Sequence, residues 1–352
     1  MICLLELYNV FISEQYMPQN SDFRICVMGA GVIGTQLALL CAMQGFSTRL
    51  VGRSPDSLKQ AEAELGRRFR EYSDSGLLSD GMSDWQTRLS ISNSPDDAKN
   101  SDVVFEAITE NAEAKNELFC SLEEIVSEET LLLSSTSGLP VDKIANRMKH
   151  PERAAAAHFA NPPHLMPTVE LVPGSATSAR TIDRAVVLLQ KLGKIPVKLR
   201  KDLPGHIFNR IQFAMLREAI ALVRDGVADP QEIDAVIKHG LALRLSEEGP
   251  LEKIDLAGLD LVSKVAAYLF PDLDCSTTPG ILNEMLSNGM TGAAGGSGFY
   301  QWTPERAGTV ISRRNLEVIR HLKRLKTDGT ISRFSETELV QSPLHDNLQR
   351  EQ

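Results

Sequence analysis

A chain of 352 residues, 42% apolar and 24% charged, has material for two domains of ordinary size. Its net charge of −9, with only 5% aromatic residues, lacks the basic footprint of a nucleic-acid binder. The five cysteines (Cys3, Cys26, Cys41, Cys120 and Cys275) are odd in number and form no C-x-x-C pair, which predicts free thiols, a reduced cytoplasmic setting and no metal site.

Residues 1–21 are mildly apolar, interrupted by Glu6 and too short to span a bilayer. They read as a flexible extension, and no membrane segment is expected. A short apolar run follows from Arg24 to Met28, then glycines, then "VIGTQLALLCAMQG", where Ile33, Leu37, Leu40 and Cys41 recur at helical spacing before Gly45. Ser47 to Val51 reads as a second strand and Pro55 to Tyr72 as a charged helix. Further strand-like runs are "DVVFEAI", "TLLLSS", "AAAAHF", "TVELV" and "IPVKL". The stretches "AEAKNELFCSLEEIV", "VDKIANRM" and "ARTIDRAVVLLQKLG" between them read as helices. Strands alternating with helices predict an α/β, doubly wound, mostly parallel sheet of Rossmann type over 22–203.

At Pro204-Gly205 the pattern changes. "HIFNRIQFAMLREAIALVRDG", "DPQEIDAVIKHGLAL", "DLAGLDLVSKVAAYLF" and "PERAGTVISRRNLEVIRHLKRL" predict an all-α domain over 204–325. The polar, aperiodic segment 326–352 reads as a tail. "FAMLREAIALV" and "LVSKVAAYLF" carry more apolar positions than one small domain buries, which predicts a homodimer through the helical domain.

Gly29, Gly31 and Gly34 form G-x-G-x-x-G between a strand and a helix. The first allows the tight turn, the second lets backbone approach a pyrophosphate, and the third lets helix and strand pack closely. Gly29, Ala30, Gly31, Val32, Ile33 and Gly34 are therefore the candidate dinucleotide cradle, with phosphates at the helix N-terminus. About 20 residues on, an acid usually accepts hydrogen bonds from the adenosine ribose. Here the position is Gly52, followed by Arg53 and Ser54. Glycine removes the repulsion of a 2′-phosphate and leaves room for it. Arg53 offers a planar cation and Ser54 a hydroxyl, so NADP(H) is expected to be favoured and NAD(H) accepted otherwise.

"EAITENAEAKNELF", "SSTSGL", "AAAAHFANPPHLMPTVELVPG" and "DLPGHIFNRI", in this order, resemble the L-3-hydroxyacyl-CoA dehydrogenase family over Phe23 to about Leu325. The resemblance implies a Rossmann-type domain, a helical dimerisation domain and reversible oxidation of a 3-hydroxyl by hydride transfer. It implies His158 as general base, Glu170 as its carboxylate partner, and Ser137 and Asn209 as residues holding the substrate oxygen. It also implies that Glu110, Lys115 and Asn161 line the cofactor site. Elementary chemistry agrees: alcohol oxidation needs a base within hydrogen-bond reach, an imidazole titrates near neutrality, and a carboxylate fixes its tautomer. The Pro-rich turn "NPPHLMP" can fold two strands so that His158 and Glu170 meet. His164, within that turn, reads as structural or at the pocket rim.

Three departures from the family pattern stand out. Gly52 replaces the usual acid. Ala294 in "GAAGGSGFY" replaces a usual lysine. "GLALRLSEEGPLEKIDLAGLD" is closer to the lambda-crystallin and L-gulonate dehydrogenase branch, where Arg244 can meet a substrate carboxylate. The expected substrate is an acyl-CoA such as 3-hydroxybutyryl-CoA, with a free 3-hydroxy acid of gulonate or carnitine type as the alternative. A non-catalytic, crystallin-like role is the third possibility. Arg67, Arg68 and Arg70 in "GRRFREY" are either a contact for CoA phosphates or a solvated helix face.

Overall fold

A computed structural model describes residues 23–79 and 81–327. The extension expected at 1–21 and the tail from 328 onward lie outside the described residues. Eight strands form one sheet: β1 Arg24–Met28, β2 Ser47–Val51, β3 Leu89–Ser92, β4 Val103–Glu106, β5 Leu131–Ser134, β6 Ala154–Phe159, β7 Thr168–Pro173 and β8 Ile195–Lys198. Their order is β3-β2-β1-β4-β5-β6-β7-β8. Every neighbouring pair is parallel except β6 and β7, which run antiparallel. This is the doubly wound order, with its topological switch between β1 and β4.

The strand sequences explain the architecture. β4, β5 and β6 are buried along their whole length, as expected of strands covered on both faces. The polar residues in these runs, Glu106, Ser134 and His158, lie at or next to the carboxyl ends, where open α/β sheets carry their sites. Helix α1, Val32–Met43, is apolar on all sides and buried from Gly34 onward. Helix α2, Pro55–Asp74, buries only Ala61, Leu65 and Tyr72 and turns its charges to solvent. Helices α3 Ala112–Glu123, α4 Val141–Ala145 and α5 Ala179–Lys191 complete the layers.

Sequence reading passed over β3. Its four residues "LSIS" form a half-exposed edge with no clean alternation, held by pairing with β2 and by Leu89 and Ile91 packing on the core.

The described residues divide into two compact units, one ending at His206 and resuming at Asn315, the other spanning 207–314. The helical unit is therefore shorter than 204–325. The last helix, α11 Pro304–Thr327, belongs to the first unit from Asn315 on: there Ile319 and Leu322 join the cluster of Leu39, Met43, Leu65 and Trp85, and Asn315 Nδ2 donates to Glu71. Before α11 come α6 Phe208–Arg224, α7 Pro230–Val236, α8 Pro250–Ala257, α9 Leu259–Leu269 and α10 Gly280–Ser287. The run expected as "DLAGLDLVSKVAAYLF" splits into α8 and α9 because Gly258 takes a φ of +92°, which breaks the helical path. After α7 the chain widens into a π turn at Ile237–Leu241 before one more helical turn, Ala242–Leu245.

Candidate active site

The cradle is built by close backbone approach. A Cβ on Gly34 would lie 1.8 Å from the Gly29 carbonyl oxygen, and one on Gly29 would lie 2.4 Å from that of Ala107. Gly29 also has a φ of +118°. A Cβ on Gly31, by contrast, would meet nothing within 4 Å. The α1 N-terminus has no side-chain cap and no acidic residue in its first turn, and Val32 is 62% exposed. An uncapped helix start behind an open glycine fits a pyrophosphate.

At the end of β2 the expected vacancy is filled. A Cβ on Gly52 would stand 2.4 Å from Leu58 Cδ2 and 2.7 Å from Ala30 Cβ. Any side chain here would have to displace Leu58 or Ala30, so packing against the cradle by itself accounts for a glycine at this position. Arg53 is exposed and forms no ion pair among the described residues. The Ser54 hydroxyl caps α2, accepting from Ser57 N–H at 3.3 Å in a reciprocal capping box.

On the other side of the switch point lies the antiparallel hairpin of β6 and β7. Its register sets His158 directly opposite Glu170, and Nδ1 meets Oε2 at 2.7 Å with both side chains buried. The connecting turn is braced from below. Lys194 Nζ, fully buried, donates to the carbonyls of Pro163 (2.7 Å) and Met166 (2.9 Å), and burial pushes its pKa down to about 7. His164 is also buried, with Nδ1 3.0 Å from Gln36 Oε1 on α1, and burial lowers its pKa to about 4. Its place is structural, tying the turn to the cradle helix. Asn161, at the start of the turn, is exposed.

Glu110 and Lys115 take different places. Glu110 is 44% exposed, beside the cradle loop. Lys115 is 1% exposed, and its ammonium is bonded to buried Glu106 at 2.6 Å and faces Glu110 at 3.4 Å. Its buried ammonium offers no surface directly, and Glu110 stands on its more exposed side. Ser137 is exposed, and its N–H donates to Glu110 Oε1 at 2.8 Å. Asn209 and Arg244 belong to the second unit, the former partly buried at the start of α6, the latter exposed.

One neighbour of the pair escaped the sequence reading. His206 follows Pro204-Gly205, has a φ of +51°, is fully buried, and its ring centroid lies 5.5 Å from that of His158. Neither ring nitrogen has a hydrogen-bond partner within bonding geometry among the described residues. Burial, reinforced by His158, lowers its pKa, while Glu170, Asp202 and the Thr136 carbonyl oppose that. The only signal in the sequence was a histidine directly after a Pro-Gly turn.

Two of the three arginines of α2 pair within the helix, and Arg70 is exposed without an ion pair among the described residues. Arg67 pairs with Glu64 at 2.6 Å, and Arg68 bridges Glu64 (2.6 Å) and Glu71 (2.9 Å). Among the described residues no cluster of His, Cys, Asp and Glu is arranged to hold a metal, and no helix is long and apolar enough to cross a membrane.

Comparison with known proteins matches two family models in sequence: the 3-hydroxyacyl-CoA dehydrogenase NAD binding domain over residues 24–203 and the C-terminal domain of the same family over 205–302. A probable 3-hydroxybutyryl-CoA dehydrogenase of Bacillus subtilis is 34% identical over 282 residues, 79% of this chain and 97% of that one. Lambda-crystallin of Oryctolagus cuniculus is 32% identical over 247 residues, 69% of this chain and 77% of that one. The crystal structure of an NAD+-dependent dismutase, 5-formyl-3-hydroxy-2-methylpyridine 4-carboxylic acid 5-dehydrogenase, superposes with a TM-score of 0.80 at 28% identity, covering 86% of this chain and 98% of that one. The chain belongs to the 3-hydroxyacyl-CoA dehydrogenase family of oxidoreductases.

Proposed function

We propose that this chain is an NAD(P)-dependent 3-hydroxyacyl-CoA dehydrogenase that interconverts a 3-hydroxyl and a 3-keto group, with 3-hydroxybutyryl-CoA as a representative substrate. The observation that carries the reading is the buried 2.7 Å contact between His158 and Glu170, held across the β6–β7 pair of the sheet that carries the cradle. Glu170 accepts from Nδ1–H and so leaves the lone pair of Nε2 to take the hydroxyl proton. In the reverse direction Nε2–H returns that proton to the developing alkoxide. Ser137 holds the substrate oxygen, while Glu110 and Asn161 border the cofactor. The nicotinamide, when bound, supplies the hydride acceptor or donor.

Arg53, exposed and unpaired at the end of β2, supports a preference for NADP(H). The four described cysteines are free, in keeping with a reduced, cytoplasmic setting. The helical unit supports a homodimer. Phe213, Leu256 and Phe270 are 64%, 78% and 70% exposed, and Ala221 is the one fully buried apolar residue between 207 and 314.

A second reading, the same chemistry on a compact free acid, is favoured by the internal pairing of Arg67 and Arg68, which leaves Arg70 as the one arginine of the three open to a CoA phosphate. The pyridine carboxylate named for the superposing dehydrogenase is a substrate of that kind, and Arg244 is the candidate contact for its carboxylate. A purely structural, crystallin-like role would not require the buried His158–Glu170 pair. The test is a dehydrogenase screen of 3-hydroxybutyryl-CoA, gulonate and carnitine with each cofactor, wild type against His158→Gln. Turnover that survives in the variant would overturn the assignment of the base.

A further inference from the structure

The loop that carries Ser137 is held almost entirely by side chains. Thr136 N–H donates to Ser134 Oγ (3.2 Å), Ser137 N–H to Glu110 Oε1 (2.8 Å), and the N–H groups of Gly138 (3.3 Å) and Leu139 (2.9 Å) to Thr136 Oγ1. Four successive amides thus end on three side chains. Those side chains are themselves joined in a ring. The Thr136 hydroxyl donates to Glu110 Oε1 at 2.6 Å, Glu110 Oε2 faces Lys115 Nζ at 3.4 Å, and Lys115 donates to Glu106 Oε1 at 2.6 Å. Glu106 Oε2 accepts from Ser134 Oγ at 2.5 Å and closes the circuit.

The ring touches two different surfaces. On one side the segment after β4 packs on the cradle, where Ala107 blocks any Cβ at Gly29, and Glu110 stands there with 44% of its side chain exposed. On the other side Gly138 lies against the Pro204-Gly205 turn: a Cβ on it would come within 2.6 Å of Gly205 N. Glu106 is fully buried and fully bonded, so its position is fixed. Glu110 is the one member both fastened to the loop and open to a ligand, and its contact with Lys115 is the longest in the ring. A group that engages Glu110 therefore changes the anchor of the Ser137 loop.

Building on the dehydrogenase reading above, we propose that Thr136 is a positioning residue through which cofactor binding at the cradle orders the loop carrying Ser137. The cofactor meets Glu110, Glu110 holds the Thr136 hydroxyl, and Thr136 holds the amides of Gly138 and Leu139. Substrate then meets a Ser137 whose backbone is already set, which links occupancy of the two halves of the site.

Hydrogen exchange read by mass spectrometry on the full chain tests this without a substrate, using NADH and NADPH as probes and their fluorescence to measure binding. In wild type, a saturating reduced cofactor should slow exchange across 136–139 by about 5- to 150-fold, the usual span of coupling between sites. Thr136→Val should bind the same cofactor with an affinity of wild-type order, yet show faster exchange there and no cofactor-dependent slowing. Thr136→Ser, which restores the hydroxyl, should recover the response. Thr136→Ala replaces the valine variant if that one does not fold. Equal cofactor-induced slowing in wild type and Thr136→Val would overturn the proposal, as would a wild-type loop indifferent to bound cofactor. Absence of any fluorescence response with either cofactor is a different result: it refutes the dehydrogenase reading, and this inference with it.

Discussion

Replacing Gly52 tests whether the missing acid is a matter of cofactor choice or of packing. In Gly52→Ala the new methyl would stand 2.4 Å from Leu58 Cδ2 and 2.7 Å from Ala30 Cβ, against an ordinary carbon contact of about 3.5–4 Å. Leu58 can turn its terminal methyl aside. Ala30 cannot, because its Cβ is fixed to the cradle backbone between Gly29 and Gly31. Overpacking of this kind costs about 1–3 kcal/mol. For a unit of this size each kcal/mol moves the midpoint by about 2–4 °C, so Gly52→Ala should melt about 2–12 °C below wild type. Ala30→Gly removes the rigid partner, and the double variant should recover part of the loss, a coupling that additive effects would not show. Gly52→Asp, bulkier still, should destabilise the fold without raising affinity for NAD(H). Calorimetry of wild type and the four variants and fluorescence titration of their cofactors decide it. A Gly52→Ala variant as stable as wild type, or a Gly52→Asp variant that gains NAD(H) affinity at no cost in stability, would refute the steric account. Glycine would then stand at this position for the sake of the cofactor alone.

Other consequences follow from particular contacts. A charge-assisted hydrogen bond such as that between His158 and Glu170 contributes about 1.5–3 kcal/mol, so Glu170→Gln should lower kcat about 10- to 150-fold. Cofactor affinity should stay unchanged, and an undiminished kcat on an accepted substrate would count against the pair. Lys194 has its pKa pushed down by burial to about 7, so the unfolded chain binds its proton first as pH falls. Its contribution to stability is full above the unfolded value near 10.4, is lost as pH falls toward 7, and stays constant below. Urea unfolding between pH 7 and 9 should therefore show wild type gaining up to about 1.4 kcal/mol per pH unit over Lys194→Met, and parallel curves would exclude the effect. Light scattering at micromolar concentration should give twice the 38.7 kDa chain mass, and an aspartate at the exposed Leu256 or Phe270 should shift it toward the monomer. A wild-type monomer would leave the apolar surface of the helical unit without its expected partner.

What the sequence made legible is what depends on short-range pattern. Seven of the eight strands, the cradle and the hairpin that joins His158 to Glu170 were readable, because apolar runs, glycine spacing and a Pro-rich turn act within a few residues. What escaped depends on neighbours brought from afar. Gly52 looked like room for a phosphate until Ala30 and Leu58 filled it. Lys115 looked like a cofactor contact until Glu106, at the end of another element, drew its ammonium inward. The split at Gly258 required a positive φ that composition does not reveal. His206 is a single letter after a turn, and only the crossing of Gly205 with Gly138 seats it beside His158. Several of these cases share one physical origin. Glu106, Ser134, Thr136, His158 and Glu170 at the carboxyl edge of this sheet are buried, so each must find a partner, and that partner sits on another element or loop. Glu106 meets Lys115 and Ser134, Glu110 meets Thr136, and His158 meets Glu170. Changing one of these residues therefore also releases a second one on a neighbouring element, and single substitutions across this edge should prove non-additive when combined.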